Sequence, residues 1–118
     1  MGFWILIYHI AESSDWIDHD QNDHYVPAKF AGEGFVHCAS LGQLENVADR
    51  HFYGKNELFL IEIDPTCLEA RTIYENLDGK KEKYPHIYGV IEKSAIKRVF
   101  PIACNNTGTF AGVFENIL

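Results

Sequence analysis

Long apolar runs are missing from this 118-residue sequence. The longest, Phe3–Tyr8, spans six residues, against the ~20 that a bilayer-crossing helix needs. No membrane association is therefore expected. The first residues lack a basic segment followed by a long apolar core and a cleavage site, so no signal peptide is expected either. Basic residues are also scarce. Ten Lys and Arg stand against 17 Asp and Glu, a formal net charge of −7. That balance disfavours generic nucleic-acid binding, which rests on basic patches. Cysteine is limited to Cys38, Cys67 and Cys104, an odd count at wide spacing with no C-x-x-C. A disulfide framework is not expected, and a reducing, cytoplasmic setting is. Repeats, low-complexity tracts and Pro/Gly/Ser linkers are absent, which predicts one domain over residues 1–118.

The chain is rich in apolar and aromatic side chains instead. Hydrophobic residues make up 47% of it, enough to exclude a disordered chain. Phe3–Ile10 reads as a strand that is apolar on both faces and so covered on both sides. Ser13 or Ser14 can cap a short helix through Trp16. Asp18–His24 reads as an acidic loop, and Pro27–Phe30 carries no clear pattern. Gly32 and Gly34 precede a short strand, Phe35–Cys38.

Ser40 and Gln43 have capping-box spacing. The helix they open has Leu44, Val47, Ala48 and His51 on one side, with Gly54 as its C′ residue. Further strands are expected at Leu58–Ile63, Thr72–Tyr74 and Ile96–Ala103, with a polar loop at Asn76–Lys83 and a helical turn at Ser94. The order predicts an α+β domain with a mixed or antiparallel twisted sheet and two short helices.

Six histidines are many for this length. Three lie beside the end of an apolar segment: His9, His37 and His86. Neutral imidazole carries one donor and one acceptor, so it can hold a hydroxyl pair or shuttle a proton. Singly, each fits a buried ring satisfied by a backbone carbonyl. Together, amid Tyr and Phe, they point to a shared pocket. Three His could also bind zinc, although H-x-H, H-E-x-x-H and C-x-x-C are all missing. Cys38 reads as a small buried hydrophobe, because neighbours on a strand face opposite ways and His37 cannot serve it as a base. Ser40 begins a helix whose N-terminus suits an anion. Arg71 could meet a carboxylate or phosphate, or pair with Glu69 or Glu75. Lys97 and Arg98 are expected in solvent. Tyr84 and Tyr88 bracket His86, and one of them could stack on a ring-shaped ligand.

These segments follow one another as Ile7-Tyr8-His9-Ile10, Trp16, Glu33-Gly-Phe-Val-His37-Cys-Ala-Ser40, Gln43, Ala48-Asp-Arg50-His-Phe52-Tyr-Gly54, Leu58–Asp64 and Tyr84-Pro-His86-Ile-Tyr88-Gly89. The set resembles the domain of unknown function 952 family of small bacterial proteins over a core of about residues 5–100. The tail, about 105–118, carries no placed pattern. The resemblance implies a fold similar to the ADP-ribosyltransferase superfamily, with a split sheet. In that superfamily a His on the first core strand holds the ribose hydroxyls of NAD. An aromatic side chain stacks on nicotinamide, and a third residue, often Glu, stabilises the oxocarbenium ion.

By this resemblance His9 takes the first role, and His37 stands on a strand before the helix that Ser40 begins. The third position is open among His86, Tyr88 and Glu75. The implied ligand is small and nucleotide-like: NAD, ADP-ribose or a 2′-phosphorylated nucleotide. Catalytic His9, His37 and His86 would be joined by ligand contacts from Tyr8, Ser40, Gln43, Arg71, Tyr84 and Tyr88. Any reaction would be ribosyl or 2′-phosphate transfer, with NAD as a substrate, no permanently bound cofactor and no metal. Two alternatives stand beside this. One is a noncatalytic nucleotide-binding module, favoured because no Glu lies in an alignable catalytic motif. The other is a metal-dependent hydrolase built on His9, His37 and His86. The oligomeric state is left open.

Overall fold

The structure, a computed structural model, describes residues 5–16, 23–77, 79 and 81–118. Phe3 and Trp4 of the expected first strand, His19, and residues 18–22 of the expected acidic loop lie outside that set. The radius of gyration is 13.6 Å, as expected for one domain of this length.

Strand β1 is Ile7–Glu12 and runs antiparallel to β4, Leu58–Ile63. It starts later than Phe3 and ends later than Ile10, and the reason lies in its partner. Asp64-Pro65 stops β4, with the Asp64 carboxylate accepting the Thr66 N–H at 3.0 Å. Ile7 pairs with Ile63, and the residue two before it, Ile5, is left exposed. The other edge of β4 pairs with β8, Ile96–Ile102.

A second sheet has the order β3–β6–β5: Val36–His37, Tyr84–Ile87 and Thr72–Glu75. A two-stranded ribbon joins β2, His24–Tyr25, to β7, Ile91–Glu92. Every pairing among the described residues is antiparallel. The α+β class is as expected, but the helices among those residues are four, not two: α1 (Ser13–Trp16), α2 (Phe30–Glu33), α3 (Leu44–His51) and α4 (Val113–Ile117). Pro27–Phe30 leads into α2 through a turn in which Pro27 accepts the Phe30 N–H. Gly34 closes α2 at φ 80°, a conformation that side chains with Cβ resist.

The first sheet is covered on both faces. Ile7 and Ala11, with Ile61 and Ile63, meet Trp16, Tyr25, Val36, Cys38 and Ile87. Tyr8, Ile10, Leu58 and Leu60 meet Leu44 and Ala48 of α3 and, unexpectedly, Phe110 and Phe114. The tail is therefore part of the core. Its Phe110 N–H donates to Asp49 of α3 at 2.7 Å, which ties the tail down at both side chain and backbone.

Ser40 and Gln43 form the expected capping box, Gln43 Oε1 accepting the Ser40 N–H at 2.9 Å. A 3₁₀ turn, Leu41–Gln43, intervenes before α3. Phe52 is the C-cap, so Gly54 comes two residues after it rather than at C′. The Ser94 turn is 3₁₀ over Lys93–Ala95. Pro85 sits in the central strand β6 at its end, where pairing with β3 has already given out. Its carbonyl still accepts the Cys38 N–H at 3.0 Å. Gly89 lies so close to Ala70 that a Cβ there would meet the Ala70 Cβ at 2.6 Å.

A backbone bridge also links the edges of the two three-stranded sheets. Tyr8 and Ala39 form an isolated bridge, exchanging N–H···O bonds of 2.8 and 2.7 Å. At the next residue of β1 the His9 ring reaches the His37 backbone. Its nitrogen Nδ1 lies 2.7 Å from the His37 carbonyl.

Candidate functional site

A wall of rings lies on one face of the second sheet. His37 and His86 are directly opposite in the β3–β6 ladder, so both side chains leave the same face. Phe35 and Tyr88, each two residues along and just outside the strands, set their rings against that face. The Phe35 ring lies 4.4 Å from the His86 ring, 4.7 Å from His37 and 5.5 Å from Tyr88, centroid to centroid. The two imidazoles are 5.3 Å apart and nearly perpendicular.

Each imidazole has its own carboxylate. Glu75, at the end of β5, accepts from His86 Nδ1 at 2.9 Å and from the Tyr88 hydroxyl. Those two bonds, the Tyr88 one first, hold the Glu75 carboxyl below the usual carboxylate range, and the Tyr88 phenol is raised in return. With Nδ1–H donating, a neutral His86 has its lone pair on Nε2. Glu33, at the end of α2, lies 3.2 Å from His37 Nε2. The pairs differ in exposure: the His86 side chain is 6% exposed and that of His37 58%.

Glu33, Phe35, His37, Glu75, Tyr84 and His86 line one end of a cleft of about 600 Å³, a volume typical of small-molecule sites. Arg50, His51 and Phe52 of α3 and its C-cap, with Lys29 and Lys55, line other parts of it. Lys55 is paired with Glu12 at 3.2 Å. The cleft thus has both signs of charge around an aromatic end. His51, read from the sequence only as a helix-face residue, belongs to its lining.

The other expected site residues fall elsewhere or are held by the fold. His9 lines the cleft but is buried. With Nδ1–H donated to the His37 carbonyl, Nε2 takes the Tyr25 hydroxyl at 3.3 Å. Burial pushes its pKa from 6.5 down to about 4, so the ring is neutral. Tyr8 also lines the cleft, but its hydroxyl donates to Glu62 at 3.0 Å, and burial with that bond raises its pKa to about 12. Gln43 is buried, its Nε2 donating to the Lys83 carbonyl at 2.7 Å and to Glu82 at 3.1 Å. This anchors the end of the expected polar loop.

Ser40 lines a separate, shallower groove with Ile5, Leu6, Tyr8, Leu41 and Tyr74. Arg71 is exposed outside the cleft lining, and its carbonyl accepts the Tyr88 N–H at 2.9 Å. Among the described residues no group of three or more His, Cys, Asp or Glu could hold a metal ion. The ligand set proposed from His9, His37 and His86 does not converge. Cys38 is buried in the core as expected, and burial pushes its thiol pKa up.

Arg98 is exposed, as expected, and its guanidinium also grips Glu62 with two bonds of 2.8 Å, a pairing the sequence did not show. Tyr8, Glu62 and Arg98 stand in register across β1, β4 and β8. An apolar-looking strand concealed this buried carboxylate.

Two site residues, Glu33 and Phe35, were missed. Their spacing to His37, four back and two back, was the available signal. A strand places i and i+2 on one face, and the turn at Gly34 brings Glu33 onto the same side.

Solved structures share this fold. The crystal structure of protein CC0527 from Caulobacter crescentus superposes with a TM-score of 0.80 at 21% identity, over 93% of this chain and 98% of that one. Its solution NMR structure gives 0.78 at 21% identity, over 95% and 96%. No curated protein matches the chain. Among the described residues no helix is long and apolar enough to cross a membrane. The family model for proteins of unknown function, DUF952, matches residues 10–99, and the chain belongs to that family.

Proposed function

We propose that the cleft binds a ribose-containing nucleotide: NAD, ADP-ribose or a 2′-phosphorylated nucleotide. The observation that carries this is the ring wall of Phe35, His37 and His86 in the 600 Å³ cleft, backed by the Glu75 carboxylate, with Tyr88 packed on Phe35 outside the cleft lining. Flat rings offer a stacking surface for a base or nicotinamide. Imidazole and carboxylate edges suit ribose hydroxyls. Lys29 and Arg50 on the cleft lining can offset a phosphate. The junction of two small sheets at Tyr8–Ala39, with His9 bonded across it to the His37 carbonyl, supports the ADP-ribosyltransferase-like reading of the fold. In this reading His9 shapes the cleft floor, and the exposed edge of the wall meets the ligand. If the protein turns its ligand over, the reaction is at the ribose or its phosphate, with Glu75 orienting the His86 imidazole.

A thermal-shift panel of NAD, ADP-ribose, nicotinamide mononucleotide and nucleoside 2′-phosphates tests this. A ligand at a hundred times its dissociation constant adds about 2.7 kcal/mol, several degrees for a domain this size. At least one member is expected to raise Tm, and Phe35→Ala is expected to remove the rise. A panel that leaves Tm unmoved contradicts the proposal.

A further inference from the structure

The arrangement of the two histidines says more than that a ligand fits. They oppose one another across the β3–β6 ladder, rings 5.3 Å apart, and each holds a different carboxylate through a different nitrogen. His86 uses Nδ1 on Glu75, which leaves Nε2 for a substrate. His37 uses Nε2 on Glu33 and is the more exposed of the two. Two adjacent imidazoles, each oriented by a carboxylate, can divide the work of accepting and giving a proton.

We propose that His86 and His37 act as general base and general acid in the hydrolysis of a ribose 2′,3′-cyclic phosphodiester, a choice that rests on the nucleotide-binding reading of this cleft. Three chemistries could be considered at a phosphorylated ribose. Cleavage at C1′ needs a carboxylate facing an oxocarbenium ion, and Glu75 is already engaged by His86 and Tyr88. Transfer of a phosphomonoester depends mostly on positioning and cationic charge, and this cleft mixes Lys29, Arg50 and Lys55 with Glu12, Asp15, Glu33 and Glu75. A cyclic diester carries a single negative charge, which suits that mixture. Its leaving group is an alkoxide that must be protonated, and its nucleophile is a water that must lose a proton. Those are the two tasks that a base–acid pair performs.

The step balances with water alone. His86 Nε2 takes a proton from water as the water oxygen bonds to phosphorus. The bond from phosphorus to one ribose oxygen breaks with its electron pair, and that oxygen takes the proton of His37. The product is a nucleoside monophosphate, and solvent exchange resets both rings. Glu75 is a positioning residue, fixing the His86 tautomer as a carboxylate does in a Ser-His-Asp triad.

The test incubates the full chain with the 2′,3′-cyclic phosphates of adenosine, guanosine, cytidine and uridine, and follows monophosphate formation by ³¹P NMR. Turnover is expected, with a bell-shaped pH dependence of kcat/KM. His37→Ala and His86→Ala are each expected to lower kcat/KM by about a hundredfold or more, and Glu75→Gln to displace the acidic limb of the profile, which the base sets. His37 is exposed, so its variant remains decisive should the buried His86→Ala fail to fold. Turnover that survives His37→Ala overturns the assignment. A Tm rise with nucleotides but no hydrolysis overturns this inference and leaves the binding reading standing. Neither binding nor hydrolysis overturns both.

Discussion

Glu75 holds two donors at once, the His86 imidazole and the Tyr88 phenol. Glu75→Gln replaces an acceptor-only carboxylate with a neutral amide, so both donors lose their charged partner. The Tyr88 phenol, now raised by that partner, should then titrate at lower pH, which ultraviolet absorbance can follow. His9 gives a second prediction at this scale. Its folded pKa, about 4, lies below the ordinary 6.5, so between those values the unfolded chain binds a proton that the native chain refuses. Its contribution is full above pH 6.5 and is lost as pH falls toward 4, a loss of about 3 kcal/mol. Denaturation by urea at pH 7 and pH 4.5 measures it. In His9→Gln the difference between the two pH values should shrink. An unchanged difference would mean that His9 is not held neutral.

Among the elements, the Tyr8–Glu62–Arg98 ladder gives the clearest prediction. Glu62 is buried in the middle of the first sheet, and its two Arg98 bonds, together with the Tyr8 bond, keep its pKa low against burial. Arg98→Ala leaves a buried carboxylate uncompensated, a change that commonly destabilises strongly. Tm should fall, and it should fall less at acidic pH, where the carboxylate can protonate. A variant as stable as the parent at pH 7 would contradict the ladder.

This ladder marks the limit of what was legible in the residue pattern. Leu58–Ile63 declared itself as a strand because it is apolar throughout, but the partner of Glu62 lies 36 positions on, across a register that only the folded sheet sets. Local signals placed the Ser40–Gln43 cap and the strands around His37 and Thr72 within a residue or two. They failed for β2, β7 and α2, which are two to four residues long and too short to show a period. At the site, His37, His86 and Tyr88 were found by their motifs. Their juxtaposition with Phe35 and Glu33 depends on the β3–β6 pairing. Arg71, Ser40 and Gln43 looked suited to a ligand by residue type, yet the fold puts Arg71 and Ser40 outside the cleft lining and uses Gln43 to fasten Lys83.

At the scale of the whole molecule, the tail beyond the family match is structural. Phe110 is fully buried, Phe114 nearly so, and both pack behind α3 against the first sheet. Phe110→Ala should cost about 3–5 kcal/mol, read from the urea midpoint at constant m-value, and removal of residues 105–118 should leave α3 without its outer cover. Since α3 and its C-cap supply Arg50, His51 and Phe52 to the cleft, loss of the tail should also weaken any ligand response.

The cleft itself is the central claim, and an amide chemical-shift titration tests it most directly. Nucleoside 2′-phosphate, ADP-ribose and NAD are each added to ¹⁵N-labelled protein, and the perturbed amides are mapped. The account predicts saturable shifts centred on Phe35, His37, Glu75 and His86, extending to Arg50. Shifts confined to the Ile5–Leu41–Tyr74 groove, or no saturable shifts with any of the three, would contradict it.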